Sequence, residues 1–147
     1  MAAQKPPLYL VDASIYIFRH YFTLPPRWYS GEGCPTQAVY GYLGFLLGLL
    51  EQVQPQFMAV AFDESLGQCF RNTIYPDYKA NRELPDDALA FQLRACAEVT
   101  TILGISTLAS DTHEADDIIG TVAERGRSGG HPIAVISGDK DLAQLLL

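Results

Sequence analysis

Apolar residues along this chain alternate between short continuous runs and a helical rhythm. Leu8-Tyr9-Leu10-Val11 is a run of strand length that ends on Asp12, and helical spacing follows through Ile15, Phe18 and Phe22. Leu24 to Pro35 carries Pro25-Pro26, Gly31, Gly33 and Pro35 and reads as loop, with Thr36 capping a helix that runs to about Val53. In that helix Val39, Tyr42, Leu43, Leu46, Leu49, Leu50 and Val53 keep the 3.6 period, and Gly41, Gly44 and Gly48 are expected to allow close approach. A second buried run, Phe57 to Phe62, again ends on an acid, Asp63.

Residues 64–85 are polar and aromatic with no sustained period, and read as an irregular arch. Pro85 and Asp86 open a helix to about Leu103, and Ile105 to Ala109 is a third strand. Asp111-Thr112 supply cap-type residues for a helix whose first turn holds Glu114, Asp116 and Asp117 and whose Ile118, Ile119, Val122 and Ala123 face inward. After the Gly129-Gly130 turn, Ile133 to Ile136 is a fourth strand that delivers Ser137-Gly138-Asp139, and Leu145 to Leu147 fall inside an expected amphipathic helix. This βαβαβαβ order predicts an α/β fold, a central mainly parallel sheet with helices on both faces and right-handed crossovers. Sites in such sheets lie at the carboxyl ends of the strands, where Asp12, Asp63 and Asp139 fall and where Glu114 opens the helix after the third strand.

The 147 residues, 48% hydrophobic, suffice for one domain with a full core. No apolar run reaches membrane-span length and Met1 to Pro7 lacks a signal-peptide core, so the expectation is a soluble cytoplasmic protein. Cys34, Cys69 and Cys96 are odd in number and widely spaced, which suggests neither a disulfide framework nor a zinc site and favours buried free thiols. The net charge of −7 argues at first against nucleic acid. Setting aside Asp12, Asp63, Glu114, Asp116, Asp117, Asp139 and Asp141 from the 17 acids leaves ten, against ten bases, so the remaining surface is neutral.

Clustered carboxylates without Cys or His neighbours select hard cations, Mg²⁺ or Mn²⁺. Two unit charges 4 Å apart repel by roughly 4 kcal/mol at an effective dielectric near 20, so such a cluster needs counterions. A metal pair about 3.5–4 Å apart, as in phosphoryl displacement, meets that need. An aspartyl-phosphate phosphatase would want a second acid two residues after Asp12, where Ser14 stands, and Asp12-Ala13-Ser14-Ile15 is no glycine-rich nucleotide loop. His20, His113 and His131 have no nucleophile beside them and read as structural or solvent-exposed.

Val11-Asp12-Ala13-Ser14, Phe18-Arg19, Ala61-Phe62-Asp63, Phe70-Arg71, Tyr78-Lys79-Ala80-Asn81-Arg82, Glu114-Ala115-Asp116-Asp117-Ile118-Ile119-Gly120-Thr121 and Ser137-Gly138-Asp139-Lys140-Asp141-Leu142-Ala143-Gln144-Leu145 occur in this order. In this series the chain resembles the 5′-nuclease family, with its PIN/resolvase-like core, over nearly its whole length. The nearest relatives would be the amino-terminal 5′→3′ exonuclease domain of bacterial DNA polymerase I and its stand-alone homologues. The resemblance implies a 5′→3′ exonuclease and 5′-flap endonuclease acting on DNA with a free 5′ end or flap, with two Mg²⁺ or Mn²⁺ ions in the complete protein and association with the bacterial nucleoid. It implies that Asp12, Asp63, Glu114, Asp116 and Asp139 hold one metal and that Asp117 and Asp141 lean toward the second. Lys79, Arg82 and Arg19 would act on the scissile phosphate, Arg71 would face another phosphate, and Tyr78 would stack on an unpaired base. It further implies a carboxy-terminal helix-hairpin part that grips duplex DNA, supplied in cis or by a partner chain, with a polymerase domain following in some relatives. A toxin-type (PIN) ribonuclease and a non-catalytic nucleic-acid-binding fragment are the rival readings.

Overall fold

The computed structural model describes residues 3–63, 74 and 86–145. Four strands form one sheet, β1 (Leu8–Asp12), β2 (Phe57–Asp63), β3 (Ser106–Ser110) and β4 (Ile133–Ile136), in the order β3-β2-β1-β4 with every pairing parallel. The helices between them are α1 (Ala13–Thr23), α2 (Gln37–Val53), α3 (Asp87–Ile102) and α4 (Ala115–Ser128), and Lys140–Leu145 form a terminal 3₁₀ turn. Parallel neighbours cannot be joined by hairpins, and the helical crossovers cover both faces.

Successive strand residues point to opposite faces, and this parity divides the core in two. Val11, Val60 and Phe62 face one way, with Ile17 of α1, Tyr42 and Leu46 of α2 and Cys96 of α3. Leu10, Ala59 and Ala61 face the other way, with Ala115, Ile119 and Ala123 of α4 and Leu142 of the 3₁₀ turn. The first face is built from large side chains, each worth about 1.5–3 kcal/mol when fully buried. The second is rich in alanine on both sides of the contact, which lets α4 lie close to the sheet.

Four local expectations change. Helix α1 buries Ala13, Ser14 and Ile17, whereas Phe18 and Phe22 are exposed, so the inward stripe lies on the small-residue face. In α2 only Gly41 meets the expected close approach: a Cβ there would stand 2.2 Å from the His20 ring, while Gly44 and Gly48 have nothing within 4 Å. Helix α4 begins at Ala115, later than Asp111-Thr112 indicate, because the Ser110 hydroxyl first accepts the N–H groups of Thr112 (3.2 Å) and His113 (3.1 Å) in a preceding turn. Lys140–Leu145 are 3₁₀, not α-helical, and bury Leu142 against the α4 side of the sheet, while Leu146 and Leu147 lie outside the described residues.

Cys96 is buried and Cys34 half-buried, both as free thiols; burial pushes the Cys96 thiol up to about 12. His20 and His131 bond backbone carbonyls, of Tyr16 and Pro6 respectively. Trp28 stacks on Tyr40 with ring centroids 4.1 Å apart, which makes it part of the loop packing. Among the described residues no helix is long and apolar enough to cross a membrane.

Candidate metal centre

Strand parity carries the acids to one place. Asp12 shares the side of Leu10, and Asp63 that of Ala59 and Ala61, so both carboxylates leave the sheet on the α4 face. In the β1–β2 register Asp12 lies opposite Ala61, which sets Asp63 two residues further toward the carboxyl edge. Helix α4 starts beside that edge, and its first N–H groups, at the positive end of a helix dipole, must find acceptors outside the regular i−4 ladder. One of them, from Ala115, donates to Asp63 Oδ1 at 2.6 Å.

The same helix start gathers its own acids. The Glu114 N–H donates to Asp117 Oδ2 at 3.2 Å, one arm of a capping box, and the Asp117 N–H donates to Asp116 Oδ1 at 2.8 Å. Glu114, Asp116 and Asp117, all half-buried, each offer a carboxylate oxygen within 4.8 Å of the others. Three atoms within 4.8 Å of one another share a centre no more than about 2.8 Å from each, so an inward movement of under about 1 Å brings them to the roughly 2.0–2.1 Å of Mg²⁺–oxygen bonds. An all-oxygen, acid-rich donor set of this kind fits a hard divalent cation.

The β4 end completes the arrangement. Val11 pairs with Ile136, so Asp12 and Ser137 emerge side by side. Ser137 Oγ donates to Asp12 Oδ2 and accepts the N–H of Asp139, both at 2.9 Å, and Asp139 Oδ1 accepts the N–H of Asp141 at 2.9 Å. Asp139 and Asp141 are exposed, whereas Asp12 is 8% exposed. Burial holds the Asp12 carboxyl above the usual carboxylate range; the Ser137 hydrogen bond works against that rise, and the negative fields of Asp63 and Asp139 add to it. On the other side of β1, Ser14 Oγ accepts the N–H of Asp63 at 3.3 Å.

Asp12, Asp63, Glu114, Asp116, Asp117 and Asp139 are therefore brought to one end of the sheet, and Asp141 joins through its backbone. Arg19 is exposed on α1 and reaches over the Ser137–Asp139 turn: a Cβ on Gly138 would stand 3.4 Å from its guanidinium Nη2 and 2.9 Å from Ile15 Cδ1. Its guanidinium also stands 5.7 Å from the centre of the Tyr16 ring. Arg71, Tyr78, Lys79 and Arg82, and the arch at 64–85 that carries them, lie outside the described residues apart from Ile74. Sequence reasoning passed over Ser14 and Ser137. Their signal was the mirrored spacing Asp12-Ala13-Ser14 and Ser137-Gly138-Asp139, in which a hydroxyl two residues from an acid can serve a turn.

The chain resembles known proteins in sequence and in fold. It is 38% identical over 139 residues to a 5′-3′ exonuclease of Aquifex aeolicus, covering 95% of this chain and 47% of that protein. It is 41% identical over 140 residues to DNA polymerase I of Pseudomonas aeruginosa, covering 95% of this chain and 15% of the polymerase. The chain thus spans about half the length of the stand-alone relative and a smaller share of the polymerase. The fold is shared with the T5 5′-exonuclease with bound zinc (TM-score 0.73, 20% identity, 96% of this chain and 52% of that one). It is shared also with the bacteriophage T5 flap endonuclease in a pseudo-enzyme-product complex with DNA and metal ions (TM-score 0.65, 21% identity, 96% and 52%). The family described as the 5′-3′ exonuclease, N-terminal resolvase-like domain, matches residues 7–147. Four strand and helix ends that pool their acids over nearly the whole matched length are the setting for that match, and the chain belongs to this family of 5′-3′ exonuclease amino-terminal domains.

Proposed function

We propose that this chain is the nuclease core of a divalent-metal-dependent 5′→3′ exonuclease and 5′-flap endonuclease that hydrolyses DNA phosphodiester bonds. The observation that carries the reading is the meeting of Asp12 and Asp63 with the Glu114, Asp116 and Asp117 cluster at the carboxyl edge of the sheet. Similarity to a 5′-3′ exonuclease and to DNA polymerase I supports it, as do the metal-bound and DNA-bound states of the structural neighbours.

Asp12, Asp63, Glu114, Asp116 and Asp139 would hold a first Mg²⁺ or Mn²⁺, with Asp117 and Asp141 directed toward a second. A bound metal pair supplies an activated water and stabilises the leaving oxygen of an in-line displacement. The chain's own residues do the rest. Asp63 fixes the start of α4 against β2, and Ser137 couples Asp12 to the β4 end. Arg19, over the Ser137–Asp139 turn, would attract a phosphate to the edge of the acids. We assign Lys79 and Arg82 to the phosphoryl oxygens as charge develops there, Arg71 to a neighbouring phosphate and Tyr78 to an unpaired base, following the family pattern at those positions. Duplex gripping is assigned to a carboxy-terminal helix-hairpin part, followed in some relatives by a polymerase domain.

The test is cleavage of a 5′-flap DNA duplex by the full-length protein with Mg²⁺. Cleavage near the flap junction is expected, and Asp116→Asn should lower the rate by more than about a hundredfold, beyond the roughly 10–100-fold typical of residues that merely support metal ligands. Normal rates in Asp116→Asn would sink the assignment. A preference for single-stranded RNA over flap DNA would move it to a ribonuclease of the same fold.

A further inference from the structure

Two strand ends flank β1 at the site, and each is keyed to it by a serine hydroxyl. Ser14 accepts the Asp63 N–H from the β2 side, and Ser137 accepts the Asp139 N–H and donates to Asp12 from the β4 side. The two serine links differ in what they hold. Ser14 receives a backbone donor, whereas Ser137 also touches a carboxylate on the neighbouring strand, 125 residues away in sequence.

A hydroxyl has one proton to give. At Ser137 its lone pairs take the Asp139 N–H, and the proton goes to Asp12 Oδ2. This orients one oxygen of a buried carboxylate and ties it to the loop that carries Asp139. A serine turn needs only the accepted N–H, as at Ser30, whose Oγ accepts from Glu32 (3.3 Å) and Cys34 (3.1 Å). The donated bond to Asp12 goes beyond what that turn requires. Three residues from two strand ends, Asp12, Ser137 and Asp139, are thus joined by one hydroxyl.

We infer that Ser137 is a positioning residue for the metal centre: its hydroxyl presets the Asp12 carboxylate and the Asp139 loop in the geometry that binds a divalent cation. The inference rests on the metal-dependent reading above and names a residue outside the seven acids. Ser137→Ala keeps the backbone of the turn and removes the link to Asp12. Ser137→Thr retains the hydroxyl.

Calorimetric titration of the full-length protein with Mn²⁺ alone, without DNA, tests it. Relative to the unsubstituted protein, Ser137→Ala should weaken Mn²⁺ binding by about tenfold or more, the usual effect of removing a group that orients a metal ligand. Ser137→Thr should stay within about threefold of normal, and Ser30→Ala, which loses a turn of the same kind far from the acids, should bind normally. Melting followed by circular dichroism gives the fraction folded in each case, and if Ser137→Ala does not fold, the threonine variant carries the test. Normal affinity in Ser137→Ala, or a loss in Ser137→Thr as large as in Ser137→Ala, overturns the positioning role while flap cleavage stands. Absence of Mn²⁺ uptake by the unsubstituted protein overturns the metal reading itself, and this inference with it.

Discussion

Helices α2 and α4 both begin inside the molecule with backbone donors to satisfy, and they solve the problem with opposite chemistry. At the start of α2 the fully buried Gln92, from α3, accepts the N–H of Ala38 at 2.6 Å and, more weakly, that of Val39 at 3.4 Å. Its Nε2 donates to Gln37 Oε1 at 3.1 Å. Thr36, the residue that sequence rules nominate as the cap, makes no side-chain capping bond. At the start of α4 the partners are carboxylates: Asp63 for Ala115, and Asp117 for Glu114. A helix start carries about half a positive charge. Neutral amides satisfy the α2 donors and leave no charge to answer for. Acids satisfy the α4 donors and gather negative charge at the end of the sheet that carries Asp12. One helix start is completed by neutral amides, the other by carboxylates.

Substitutions at the two starts should separate these roles. The largest effect is expected at α4, where Asp116→Asn should cost cleavage more than about a hundredfold, about 3 kcal/mol in the barrier, yet leave the metal-free protein about as resistant to urea as before, because the asparagine Oδ1 still accepts the Asp117 N–H. A lower urea midpoint in that variant would mean that the acids hold the fold, and the contrast between the helix starts would collapse. Gln92→Leu should do the reverse. It strands the Ala38 N–H and the Gln37 amide in the core at about 1–3 kcal/mol each, so a loss of roughly 2–6 kcal/mol in urea unfolding is expected with Mn²⁺ affinity unchanged.

The smallest effect is the pH dependence at Asp12. Its folded-state carboxyl is held above the ordinary value, mainly by burial, so the folded chain binds this proton more tightly than the unfolded one. The resulting contribution to stability is full below the unfolded value and is lost as pH rises through the elevated one. In urea titrations of the metal-free protein, Asp12→Asn should flatten this part of the pH profile, and saturating Mn²⁺ should oppose the loss at neutral pH by binding the ionised form. An unchanged profile in Asp12→Asn would place the burden on another acid.

Much of the scaffold was legible in the residue order. The apolar runs ending at Asp12, Asp63 and Ile136 became β1, β2 and β4, and the helix from Asp86 has its cap where expected, with Asp86 Oδ1 accepting the Leu89 N–H at 2.8 Å. The inward face of α1 was not legible, because Ala13 and Ser14 carry little hydropathy while Phe18 and Phe22 carry the stronger signal and are exposed. The α4 boundary was misread because the Ser110 turn competes for the N–H groups that Asp111 and Thr112 were expected to cap. Gln92 could not be found by spacing at all, since it serves a helix start 54 residues away.

By itself, then, the sequence determined that strands and helices alternate, that acids stand at strand ends, and which cation chemistry those acids select, because periodicity and residue type are local properties of the chain. Only the tertiary structure decided that Asp12 and Asp63 leave the sheet on the α4 side, that Asp63 is tied to the first turn of α4, and that Ser137 holds Asp12 to Asp139. Those facts depend on strand register and parity, where a slip of one residue turns every side chain to the opposite face, and no local pattern fixes which strand lies beside which.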